Sequence, residues 1–123
     1  AVVVSVEAKD GYAYCLGGRE RTQRPALTWC MEAVQRGAGE LLLTSVDHDG
    51  TQYGLDLGLL EAVREFVSVP VVLSGGAGHP KHLLDAFRSG ASGVAVGALL
   101  HRGETTIGEL KRYLANEGEE MRL

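Results

Sequence analysis

Two stretches of the chain put chemically useful groups where a strand would hand over to a loop. Asp47-His48-Asp49-Gly50 follows Leu41-Leu42-Leu43-Thr44-Ser45, and Ser74-Gly75-Gly76-Ala77-Gly78 follows a second short apolar run. The first offers carboxylates. The second offers bare backbone N–H groups, which bind anions without help from a basic side chain. In parallel α/β proteins such junctions all open onto one face, where ligands bind. The pair therefore points to a small anionic ligand held at one end of a parallel sheet.

The elements needed to carry these junctions are legible. Residues 1–6 form a continuous apolar run, as in a strand buried on both faces. Residues 12–16 are a short β-prone piece between Asp10-Gly11 and Gly17-Gly18, so 10–21 reads as a small hairpin or flap. A helix is expected over 26–35, with Pro25 near its start and Gly37 beyond its end. The next strand is 41–44. Asp56 is the expected N-cap of a helix to Phe66, whose Leu59, Leu60, Val63 and Phe66 share a face. A third strand follows at 69–73. Pro80 starts a helix to Arg88 that Gly90 closes, 93–96 is a fourth strand, and a last helix runs from Thr106 to Asn116. Trp29 and Phe87 fall on helix faces and are expected to pack against the sheet rather than hold a cofactor.

Composition narrows the function classes. The 123 residues are 45% hydrophobic and 23% charged, with 17 glycines, as in an ordinary globular domain. A net charge of −4 leaves no basic stripe for nucleic acid. No apolar stretch approaches membrane-spanning length, and the opening Ala-Val-Val-Val lacks the flank and cleavage site of a signal peptide. Cys15 and Cys30 lack CxxC spacing, which suggests free thiols in a reducing cytosol. His79, His82 and His101 have no metal-ligand spacing; His79 flanks a cap and His82 lies on a helix, so no metal and no cofactor is expected.

Strand and helix thus alternate four times, with an internal echo: Arg36-Gly37-Ala38-Gly39 leads into the second strand and Ser89-Gly90-Ala91-Ser92 into the fourth. Strands apolar on both faces need helices on one side and further side chains on the other, and their outer edges need partners. A complete (βα)8 barrel takes ~250 residues. The expected fold is an α/β single domain over 1–123, a (βα)4 half of a TIM-type barrel with a flap at 8–22. It would close an eight-stranded barrel by homodimerisation or with a complementary amino-terminal half. A lone open four-stranded sheet is the competing reading.

Four segments carry a resemblance to a known family: Ala1-Val-Val-Val, the run from Arg36-Gly-Ala-Gly through Asp49-Gly50-Thr51, Ser74-Gly-Gly-Ala-Gly78, and Ile107-Gly-Glu-Leu-Lys-Arg-Tyr-Leu114. The chain resembles the carboxyl-terminal half of the cyclase subunit of imidazole glycerol phosphate synthase. That family forms a histidine-pathway intermediate and a purine precursor from a bis-phosphorylated ribulosyl substrate and ammonia. The resemblance implies a phosphate site at the last two strand–helix loops, here Ser74, Gly75, Gly76, Gly97 and Ala98, where Ala98 replaces a serine common in the family. It puts Asp49 and Gly50 at the ligand. Asp47 has either that role or a turn-capping one, and His48 is expected to point into solvent.

Glu7 stands where the family has an aspartate general acid/base, and the second family aspartate belongs to the absent half. Two-fold symmetry would bring a second Glu7 in its place. Lys9 and Thr44 are further candidate substrate or loop residues; Lys9 and the flap with Arg19 and Arg21 resemble the family's mobile mouth loops, which would screen a second phosphate, or form a solvated surface, the reading favoured for Arg21. Glu40 corresponds to a ring facing a possible glutaminase partner, or, with the other ring members in the absent half, has a structural or solvent role. The remaining readings are a self-associating scaffold without activity and a related amidination enzyme of surface-polysaccharide synthesis.

Overall fold

A computed structural model of the chain describes residues 2–15, 20–48, 54–96, 100 and 105–119. Six strands form one sheet: β1 (Val3–Lys9), β2 (Tyr12–Cys15), β3 (Glu20–Pro25), β4 (Glu40–Ser45), β5 (Val71–Ser74) and β6 (Gly93–Val94), in the order β3-β2-β1-β4-β5-β6. The helices are α1 (Ala26–Gln35), α2 (Leu57–Phe66), α3 (Pro80–Arg88) and α4 (Ile107–Asn116).

The strands β1, β4, β5 and β6 are parallel, each the neighbour of the last. Right-handed crossovers between strands added in one direction leave every helix on the same face. Side chains alternate accordingly. Val6, Leu41, Leu43, Val71 and Leu73 are buried with Cys30, Leu60, Val63, Leu83, Leu84, Leu110 and Leu114 from the helices. The alternate set, with Leu42 and Val72, is only half-buried on the opposite face. This is the (βα)4 half of a TIM-type barrel that the sequence implies, and the open face is the one a complete barrel would enclose.

The expected hairpin or flap is built into the sheet: β2 pairs antiparallel with the end of β1, and β3 pairs antiparallel with β2, running on to Pro25. Asp10 and Gly11 turn the chain with φ of 53° and 82°, the sign pattern of a type I′ turn, whose twist suits a two-residue hairpin. β3 has no apolar alternation to announce it. Its Glu-Arg-Thr-Gln-Arg-Pro sequence is tolerated because it lies at the sheet edge, where a proline costs no ladder bond. β6 is shorter than the expected 93–96, although Ala95 N–H still donates to the Leu73 carbonyl at 3.0 Å.

Two helix starts follow the sequence expectation. Asp56 accepts from Leu59 N–H at 3.0 Å, and Thr106 accepts from Glu109 N–H at 3.2 Å. Phe87 packs against the core, but Trp29 does not: it is 37% exposed, with the Arg24 guanidinium 5.3 Å from its ring centroid. Arg24 also pairs with Glu32, which bonds Arg36 at 3.1 Å. Trp29 instead lines a cleft of about 410 Å³ with Val2, Val4, Ala33 and Ala38, beside the outer edge of β1. β2 covers that edge only at Glu7, Ala8 and Lys9, and Val2 and Val3 are 61% and 55% exposed.

Candidate functional site

The carboxyl-terminal ends of β1, β4 and β5 bring Glu7, Thr44 and Ser74 into one row, since Glu7 registers with Thr44 and Thr44 with Ser74. Their neighbours Val6, Leu43 and Leu73 are buried against the helices, so the period-2 alternation turns the row toward the open face. On the other side Glu7 registers with Tyr14 of β2. Glu7 Oε2 is buried and has no hydrogen-bond partner among the described residues. A buried acceptor in that state costs about 1–3 kcal/mol, and an incoming donor would relieve it.

Lys9, two residues further along β1, carries its Nζ 5.8 Å from the Tyr14 ring centroid. Asp47 Oδ2 accepts from Asp10 N–H at 2.8 Å, so of its two candidate roles the backbone-capping one is occupied. It caps the β1–β2 hairpin turn. Glu40 is half-buried at the opposite end of β4, registered with Val3. Asp49, Gly50, Gly97, Ala98, Arg19 and His101 lie outside the described residues, as does the Arg21 side chain.

The glycine stretch after β5 is braced from both sides. Gly75 and Gly76 have φ of 99° and 107°, values that other residues adopt only with strain, and 75–78 are buried. Gly54 N–H donates to the Gly76 carbonyl at 2.9 Å, and a Cβ on Gly76 would stand 2.0 Å from the Gly54 carbonyl oxygen. His48 departs from the expectation that it is solvated. Its Nδ1 is 3.0 Å from the Gly54 carbonyl, its Nε2 is 3.7 Å from Asp56, and its own N–H donates to the buried Ser45 hydroxyl at 3.4 Å.

On the α3 side His82 Nδ1 accepts from Gly78 N–H at 3.0 Å and from His79 N–H at 3.2 Å. Sequence reasoning put His82 on a helix but missed this role. The available signal was its place three residues after the cap, where a side chain can reach back to the cap's own N–H.

Among the described residues no group of three or more His, Cys, Asp or Glu side chains is arranged to hold a metal ion. None of the described helices is long and apolar enough to cross a membrane. The site offers a carboxylate, two hydroxyls, an ammonium group and a tightly folded glycine loop at one end of a parallel sheet.

A half TIM-type barrel with polar groups gathered at its carboxyl-terminal strand ends defines the class. Residues 1–106 match the family described as Histidine biosynthesis protein, and the chain belongs to that family. It is 45% identical to the imidazole glycerol phosphate synthase subunit HisF of Streptococcus sanguinis, covering 99% of this chain and 51% of the relative. The corresponding subunit of Thermococcus gammatolerans is 44% identical over 99% of this chain and 50% of its own length. That of Synechocystis is 52% identical over 92% and 47%. The chain thus spans about half the length of the curated relatives it matches.

Proposed function

We propose that this chain supplies the carboxyl-terminal half of an imidazole glycerol phosphate synthase cyclase site, in the cytoplasm, and binds a phosphorylated sugar-type ligand there. One terminal phosphate would sit on the backbone N–H groups of Gly75 and Gly76, with Ser74 beside them and Gly97 and Ala98 completing the cradle. Asp49 and Gly50 would contact the ligand, and Glu7 would move protons to and from the cyclising intermediate. Lys9 and Thr44 stand where they can meet the rest of the ligand. The observation that carries this reading is the Glu7–Thr44–Ser74 row, in which Glu7 Oε2 is buried with no donor of its own among the described residues.

The second wall is a second copy of the chain. The outer edge of β1 from residue 3 to 6 has no partner among the described strands, β6 ends the sheet on the other side, and the Trp29 cleft lies beside the β1 edge. Pairing β1 of one copy with β6 of the other closes eight parallel strands and faces two Glu7 carboxylates across the interior. A glutaminase partner would deliver ammonia from the opposite end, where Glu40 lies.

Light scattering with ligand calorimetry and turnover tests the reading. A dimer that binds a bis-phosphorylated ribulosyl analogue and converts the substrate with ammonia is expected, with turnover falling about 10²-fold or more in Glu7→Gln. Unchanged turnover in Glu7→Gln removes the acid/base role. Binding without turnover leaves a ligand-binding half-barrel, which the longer Glu7 side chain in place of aspartate would favour. A monomer with no ligand affinity refutes the whole.

A further inference from the structure

Helix α3 begins without a Ser, Thr, Asp or Asn at its cap. His79 occupies that position, and the N–H groups of Gly78 and His79 both donate to Nδ1 of His82. A ring nitrogen that accepts hydrogen bonds carries no proton, so His82 stands as the neutral tautomer with its hydrogen on Nε2. The other side of the ring abuts Gly54: Cδ2 and Nε2 are each 3.8 Å from where a Gly54 Cβ would lie. Gly54 in turn donates to the Gly76 carbonyl. One imidazole therefore holds the carboxyl-terminal end of the 75–78 segment through two N–H bonds, and its other side lies beside Gly54, which holds Gly76.

We propose that His82 is a positioning residue for the anion-binding loop: its neutral ring holds 75–78 in the form that receives a phosphate, and a proton on Nδ1 releases that loop. The proposal rests on the reading of this loop as the phosphate site. The charged and titratable groups around the ring are His79, whose centroid is 5.3 Å away, with Lys81 and Asp85 on α3. Across Gly54 stand His48 and its partner Asp56.

Burial holds the His82 imidazole below its ordinary value, His79 and Lys81 push the same way, and Asp85 opposes them. The neutral ring is thus the native form at neutral pH. His48 Nδ1 faces the Gly54 carbonyl oxygen at 3.0 Å and its Nε2 lies 3.7 Å from Asp56.

The test is calorimetric binding of inorganic sulfate to the full chain at about pH 8 and about pH 5. Sulfate stays dianionic throughout, so any change belongs to the protein, and inorganic phosphate at the higher pH serves as the second probe. Wild type should lose affinity about tenfold or more on acidification, the scale of one or two hydrogen bonds. His82→Asn keeps a side-chain acceptor that does not titrate; it should bind within a few-fold of wild type at the higher pH and lose the pH dependence. His82→Ala should bind weakly at both.

An acid loss that persists in His82→Asn, or wild-type affinity in His82→Ala, overturns the assignment and leaves the anion site standing. Failure of wild type to bind either anion removes the site reading and this proposal together. Independently of folding in the variants, the amide signals of Gly78 and His79 should move in step with the His82 ring titration in wild type; flat signals refute the brace.

Discussion

Replacing Gly76 by alanine probes the contact between the loops after β4 and β5 more sharply than any other single change. The backbone there has φ +107°, and a Cβ would meet the Gly54 carbonyl oxygen at 2.0 Å, the Gly54 carbonyl carbon at 2.9 Å and His48 Cβ at 3.0 Å. The oxygen must retreat by about 1.4 Å or more to reach an ordinary contact, and the residue that moves also donates its own N–H to the Gly76 carbonyl. Gly37 supplies the control. Its φ is +105°, and a Cβ there meets nothing within 4 Å. Both substitutions carry the same backbone strain of about 1–3 kcal/mol, which cancels in the comparison. What remains for Gly76→Ala is the lost hydrogen bond and the displaced peptide, about 1–3 kcal/mol beyond Gly37→Ala.

Urea unfolding followed by circular dichroism, at one fixed protein concentration, reads this as a midpoint about 1 M lower with an unchanged slope. Midpoints for the two variants that agree within about 0.2 M would show that the loops do not press on each other as described, and the positioning role assigned to Gly54 would fall with them.

Two further outcomes are expected. Asp56→Ala removes the cap on Leu59 N–H and the carboxylate facing His48; stability should drop by about 1 kcal/mol in the same urea assay, almost all of it from the cap, because the half-exposed histidine pair contributes little. Cys30 is fully buried and burial pushes its thiol up to about 11, so in a Cys15→Ser background it should react with a disulfide reagent near pH 8 only at the rate at which the chain opens. Rapid labelling of the native protein would contradict the packing of α1 on the sheet.

Much of the architecture follows from local signals. The helices at 57–66, 80–88 and 107–116 announce themselves through Asp56, Pro80 and Thr106 at their starts and through apolar spacing along one face, all of which act within a few residues. The apolar strands β4 and β5 are equally plain, and the four-fold alternation of strand and helix, longer than a lone sheet can shelter, already implies half a barrel. That the glycine loop and the end of β4 lie at the same end of the sheet is readable for the same reason, since strand ends in a parallel sheet share one side.

Long-range contacts are what the sequence withholds. β3 is polar throughout and becomes a strand only because β2 offers it an edge. Asp47 accepts from an amide 37 residues distant in the chain. Trp29 looks like a core residue by type and period, yet it faces out because Arg24 and the cleft beside β1 lie over it.

The same holds for the histidines. Nothing local brings His48 and His82 together; both lie beside Gly54, which needs two loops separated in the chain to meet in space. The sequence by itself determined the elements and the end of the sheet at which polar groups gather, because capping, periodicity and turn chemistry are short-range. Only the tertiary structure decided which side chains touch: a single rotation of a loop changes every such distance without altering one local preference.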